Sequence, residues 1–158
     1  MRKIFLTVIV LASFFTVKAQ NQVSVGLELG MPFADLSTFN GFGIGATAKL
    51  HHTLKGNLQL TGTTGYMSFA GKNGAKAFGF LPLKAGLRFS VAENLFIEPE
   101  VGLWFGNNGW GTSFAYGGGI YKAWNSFDLG VRLEGSSKNS ANAWFLGLRG
   151  AYKFDLGK

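Results

Sequence analysis

From Gln20 onward, apolar and polar side chains alternate along the chain, the period-two signature of strands whose faces meet different environments. The pattern is clearest over Phe80–Ser90. Leu81, Leu83, Ala85, Leu87 and Phe89 share one face there, and Pro82, Lys84, Gly86, Arg88 and Ser90 share the other. Over Asn94–Gly106, Leu95, Ile97, Val101, Leu103 and Phe105 oppose Glu98, Glu100, Gly102 and Trp104. Phe127, Leu129, Val131 and Leu133 alternate with Asp128, Gly130, Arg132 and Glu134. Trp144, Leu146, Leu148, Tyr152 and Phe154 alternate with Gly147, Arg149, Ala151 and Lys153. Weaker alternation runs over Gln22–Gly30, Gly41–Leu50, Asn57–Ser68 and Thr112–Tyr121. These eight segments are each about the 9–11 residues that a tilted membrane-spanning strand requires.

The connections alternate in length. His51–Gly56, Val91–Glu93 and Ala123–Trp124 read as short turns; Pro32–Asn40, Ala70–Ala75, Asn107–Gly111 and Ser136–Asn142 read as longer polar loops. Tight turns at one end and larger loops at the other are the habit of outer-membrane barrels. The pattern therefore predicts an all-β fold, an eight-stranded antiparallel up-and-down transmembrane β-barrel with both termini at the periplasmic end. Pro82 and Pro99 fall inside strands, where each removes a ladder hydrogen bond; a bulge or a locally opened ladder is expected at each.

Alternation leaves inside and outside interchangeable, so the choice rests on which residues share the polar face. Gly26, Gly30, Gly43, Gly45, Gly86, Gly102, Gly130 and Gly147 crowd it, as a narrow filled lumen requires and a solvated outer face does not. Its charges nearly balance: Glu28, Glu98, Glu100, Asp128 and Glu134 against Lys49, Lys84, Arg88, Arg132, Arg149 and Lys153. Charges withdrawn from water need partners, and an enclosed lumen supplies them. The ends of the apolar stripes are aromatic and their middles aliphatic. Phe42, Tyr66, Phe105, Phe114, Tyr116 and Trp144 fall at the loop end, and Phe89, Phe127, Tyr152 and Phe154 at the turn end. Two aromatic girdles around an aliphatic band face outer-membrane lipid.

Composition adds a targeting segment and several exclusions. Arg2 and Lys3 precede an uncharged apolar run from Ile4 to Val17, then Val17-Lys18-Ala19. This reads as a signal peptide over residues 1–19, cut between Ala19 and Gln20, with the barrel domain over 20–158. A run of 14 residues is short of the roughly 20 of a spanning helix. Charged residues make up 15% of the chain, well below the roughly 25% of an ordinary soluble domain. With no Cys, there is no disulfide framework, thiolate metal site or thiol nucleophile. The net charge of +7 falls to about +4 once Arg2, Lys3 and Lys18 are removed, and no basic run is left to favour nucleic acid.

The runs Phe80-Leu-Pro-Leu-Lys-Ala-Gly-Leu-Arg-Phe and Asn94-Leu-Phe-Ile-Glu-Pro-Glu-Val-Gly resemble the small outer-membrane β-barrel family, often labelled porin-like or OmpA/OmpX-like. Phe114-Ala-Tyr-Gly-Gly-Gly-Ile-Tyr-Lys, Phe127-Asp-Leu-Gly-Val-Arg-Leu-Glu-Gly and Phe145-Leu-Gly-Leu-Arg-Gly-Ala-Tyr-Lys-Phe continue the likeness. It covers essentially all of the chain after the signal segment. The resemblance implies a Gram-negative outer-membrane location and insertion by the outer-membrane assembly machinery, and it carries no catalytic residues. Such barrels often end on Phe; here Asp155-Leu156-Gly157-Lys158 follows Phe154.

Little in the chain points to chemistry. His51-His52 lacks neighbouring metal ligands and reads as part of a solvated periplasmic turn, so no metal or other cofactor is expected. A Ser–His–carboxylate hydrolase of the lipid-modifying kind would need histidine at the opposite end. Gly117-Gly118-Gly119 opens no helix and reads as tightly packed strand rather than a phosphate loop. The leading expectation is a structural or surface-interaction barrel whose lumen is plugged by paired charges. The alternatives are a narrow porin-like pore for ions or small solutes, and a soluble barrel carrying an apolar ligand, which would need every strand turned over.

Overall fold

The computed structural model describes residues 21–138 and 141–156; the signal segment and its cut before Gln20 lie outside them. Eight strands follow in chain order: β1 (Asn21–Ala34), β2 (Asn40–Lys55), β3 (Leu58–Gly71), β4 (Phe78–Ala92), β5 (Leu95–Gly106), β6 (Gly111–Trp124), β7 (Phe127–Lys138) and β8 (Ala141–Asp155). One short helix, α1 (Asp35–Phe39), joins β1 to β2. Each strand pairs antiparallel with the next, and β8 returns to β1 from Gln22↔Asp155 to Ala34↔Ala143. The sheet is a closed up-and-down barrel with no free edge.

Three turns at one end have two residues each, at 56–57, 93–94 and 125–126. Gly56, Asn94 and Asn125 take positive φ there (53°, 58° and 23°), the backbone that lets so short a turn follow the strand twist. The strands are longer than the alternation marked. β2 continues through His51 and His52 to Lys55, so His51 is not in a solvated turn; Ala123 and Trp124 likewise end β6 rather than forming a turn. At the other end the expected long loops shrink. Pro32–Ala34 belongs to β1, and Ser136–Lys138 and Ala141–Asn142 are strand.

The two strand prolines open the ladder without bulging it. Between β3 and β4 the pairing runs to Thr64↔Leu83 and resumes in the same register at Met67↔Phe80, leaving out Leu81 and Pro82. Between β4 and β5 it runs to Gly86↔Glu100 and resumes at Phe89↔Ile97, leaving out Glu98 and Pro99. On their other sides both prolines stay in register, Pro82 with Trp104 and Pro99 with Gly118. The missing proline N–H accounts for a gap on one side only.

The interior has two layers of different character. Toward the loop end it is apolar: Met67, Phe69, Phe78, Phe80, Trp104 and Phe145 pack together, and Leu36 of α1 reaches into them. Phe80 stacks on Trp104 at 3.9 Å, and Phe69 meets Phe145 edge-on at 5.3 Å. Below this layer the interior is charged. The outer face is the apolar one, so the orientation that a soluble carrier of apolar ligands would need is absent.

Candidate functional site

The charged layer is built by strand phase. Glu28, Lys49, Lys84, Arg88, Glu98, Glu100, Asp128, Arg132, Glu134 and Arg149 all fall on the inward face of their strands, and each is buried. Glycines make the room: a Cβ on Gly147 would lie 2.7 Å from a Glu28 oxygen, and one on Gly86 would lie 2.8 Å from Cγ of Glu100. Narrow lumens of eight strands are filled by side chains in this way.

Nine of these residues form one continuous chain of ion pairs across the lumen. Arg132 lies 3.0 Å from Glu28 and also pairs with Glu134. Lys84 links Glu134 at 2.7 Å to Glu100 at 3.2 Å. Lys49 continues from Glu100 at 3.4 Å to Glu98 at 2.5 Å. Arg88 lies 3.7 Å from Glu98 and closes on Asp128 with two parallel bonds of 2.6 and 3.0 Å. Neutral donors add to three of the carboxylates. The Trp104 indole N–H donates to Glu134 at 2.6 Å, Thr61 to Glu98 at 2.9 Å and Thr63 to Glu100 at 2.5 Å.

The chain holds five carboxylates and four cations, and Arg149 supplies the fifth positive charge beside it. Arg149 sits opposite Glu28 in the β1–β8 register, yet no carboxylate pairs with it among the described residues. It donates instead to Thr47 at 2.7 Å and Ser24 at 3.2 Å. Lys153, placed by the sequence among the same charges, is only partly buried and joins no ion pair among the described residues.

Sequence reasoning missed two features of this interior. His51 is 2% exposed, with its Nε2 3.0 Å from the Ser24 hydroxyl. The signal was its phase, since it continues the inward series Thr47, Lys49. This Ser–His pair has a guanidinium on the serine and no carboxylate on the imidazole among its hydrogen bonds, the reverse of what nucleophile activation needs. The second is the aromatic layer. Phe78 and Phe80 are two residues apart, and with Phe69 and Phe145 they face inward. The tyrosine at 121 is also enclosed, 1% exposed, with Lys49 4.9 Å and Arg88 5.2 Å from its ring centre.

This architecture has close counterparts among solved structures. The outer-membrane protein Ail of Yersinia pestis superposes with a TM-score of 0.65, at 17% identity, over 87% of this chain and all of that one. The N-terminal barrel domain of Pseudomonas aeruginosa OprF gives 0.63, at 18% identity, over 87% of this chain and 100% of that chain. Neisserial surface protein A gives 0.55, at 14% identity, over 85% of this chain and 97% of that chain. The fold is that of the small outer-membrane barrels. No protein-family model and no curated protein matches the chain.

The residues expected in girdles all point away from the lumen. Phe42, Tyr66, Phe114, Tyr152 and Phe154 are each at least half exposed, and Phe89, Phe105 and Phe127 only slightly less. Tyr116 and Trp144 are partly covered by one another, edge-on at 5.2 Å. The indole of Trp144 also lies over Gly135, its partner on β7, covering backbone that the glycine leaves bare.

Proposed function

We propose that this chain is an integral outer-membrane β-barrel with a structural or surface-interaction role, its lumen closed by the ion-pair chain beneath an aromatic layer. The observation that carries the reading is the inverted polarity of the barrel. Leu27, Leu83, Val101 and Ile120 are 66%, 56%, 53% and 56% exposed on the outer wall, while Lys49 and Glu98 are 1% and 0% exposed inside. A continuous apolar belt of this kind far exceeds the few hundred Å² that a soluble monomer exposes. Its natural solvent is lipid. Strands of 12–16 residues, tilted as barrels require, reach across the roughly 30 Å hydrocarbon core.

In this reading Phe42, Tyr66, Phe105, Phe114, Tyr116 and Trp144 lie at one headgroup level and Phe89, Phe127, Tyr152 and Phe154 at the other. The chain reaches the membrane through a signal peptide cut between Ala19 and Gln20. Tyr152 and Phe154, both outward near the end of β8, serve as the alternating aromatic signal for the assembly machinery. No reaction is assigned. The loops and α1 face the cell exterior.

Single-channel recording in planar bilayers tests the closed lumen. The folded protein is expected to give no conductance above the detergent blank. Reproducible ohmic steps would overturn the plug in favour of a narrow pore for ions or small solutes, and would leave the membrane assignment standing.

A further inference from the structure

At the loop end lies a cavity that a closed barrel does not need. Its volume is about 210 Å³, and Leu36, Phe39, Phe78, Trp110 and Ala143 wall it. Phe78 and Trp110 stand edge-on at 5.5 Å, while Phe39 is 62% exposed, an aromatic ring left at the pocket's open side. The polar groups of the wall are already engaged. Asp35 accepts the Asn142 N–H at 2.7 Å, and the Asn142 side chain accepts the Ser137 hydroxyl at 2.7 Å. The first bond ties α1 to β8 and the second ties β7 to β8, so these groups are engaged within the fold rather than offered to a ligand.

The charge around the pocket is lopsided. Lys72 and Lys76 are exposed on the turn after β3, and that turn is fastened to the pocket wall. The Lys72 N–H donates to the Phe39 carbonyl at 2.8 Å, and the Asn40 amide donates to the Lys76 carbonyl at 3.5 Å. Lys138 donates its ammonium to the carbonyl of Trp110. Three lysines thus stand on segments bonded to the walls of an aromatic pocket, and Asp35 is the one carboxylate among its wall residues.

We propose that this mouth pocket binds an organic anion bearing one flat apolar group, an aromatic carboxylate or sulfonate. The ring enters between Phe39, Phe78 and Trp110, and the anionic group stays outside toward Lys72, Lys76 and Lys138. The volume limits the ligand to a single ring system, since pockets that take drug-sized ligands are about 300–1,000 Å³. The inference goes beyond the closed-lumen reading and does not depend on it, because the pocket lies above the ion-pair chain.

Isothermal titration of naphthalene-2-sulfonate into the folded full-length barrel, in one uncharged maltoside micelle with the detergent blank subtracted, tests this. The neutral naphthalene-2-sulfonamide serves as the comparison. Saturable one-site binding is expected, with the sulfonate tighter than the sulfonamide. Phe39→Ser, at an exposed side chain, should weaken both ligands about tenfold. The double change Lys72→Gln, Lys76→Gln should weaken the sulfonate about fivefold and leave the sulfonamide unchanged. Heat-modifiable gel mobility confirms that each variant is folded. Absence of saturable heat from folded wild type overturns the site. Equal affinity for the two ligands, unmoved by the lysine changes, overturns the choice of an anion. In either failure the membrane and lumen claims are untouched.

Discussion

Lys84 sits between two carboxylates, Glu100 and Glu134, and joins the two halves of the ion-pair chain more closely than Arg132, which reaches Glu100 at 3.9 Å. Lys84→Met would leave Arg132 as the one cation shared by both acids, with Lys49 still beside Glu100, and removing a cation from this buried network should cost about 3–5 kcal/mol. Urea unfolding in micelles should show that loss. Arg149→Met removes only bonds to Thr47 and Ser24, so a smaller loss of about 1–2 kcal/mol is expected in the same assay. Equal losses would mean that the lumen is wet enough to screen its charges. Glycine provides a second test at this scale. A Cβ on Gly130 would press into the enclosed ring of Tyr121, 2.8 Å from Cγ, whereas one on Gly62 meets nothing within 4 Å. Gly130→Ala should destabilise by about 1–3 kcal/mol, and Gly62→Ala should stay within about 0.5 kcal/mol of wild type.

At the scale of strands, the prolines set where the wall is open. The β4–β5 ladder lacks its bonds around Arg88 and Pro99 although the register is unbroken. Pro99→Ala restores a donor at that gap. The expected result is slower amide exchange in β4 near Leu87 and Arg88 and a gain of about 0.5–1.5 kcal/mol. Unchanged exchange there would show that the ladder is held open by something other than the missing N–H. This is also the scale at which the sequence was most legible. Leu81-Pro82-Leu83-Lys84 reveals its two faces because the inner and outer walls of the barrel carry opposite residues there, and the same contrast marks Phe127–Glu134. The contrast fades at the loop end. Phe78, Phe80 and Phe145 face inward while Leu81 and Leu146 face outward, so both faces are apolar and period two carries no sign. Boundaries failed for a related reason. Ser136 looks like a loop residue, yet it continues the phase of Glu134 and is fully buried, with its hydroxyl 2.6 Å from that of Ser113. His51 was misplaced in the same way, since a histidine suits both a turn and a polar lumen.

As a whole molecule the barrel is an inside-out protein: paired charge and stacked aromatics within, an aliphatic belt without. The ion-pair chain crosses the middle of the interior and Leu36 of α1 packs into the aromatic layer at the loop end, so the two layers are held by different chemistry. The interior alone does not decide what surrounds the molecule; the outer wall does. Because the chain contains no cysteine, single cysteines can report that wall directly. Spin labels at Val101→Cys and Leu148→Cys, both outward and about half exposed, should be relaxed by oxygen dissolved in the bilayer and shielded from a water-soluble nickel chelate. A label at Asn73→Cys, on the turn after β3, should show the reverse. Nickel access at Val101 and Leu148 equal to that at Asn73 would contradict the membrane-spanning barrel.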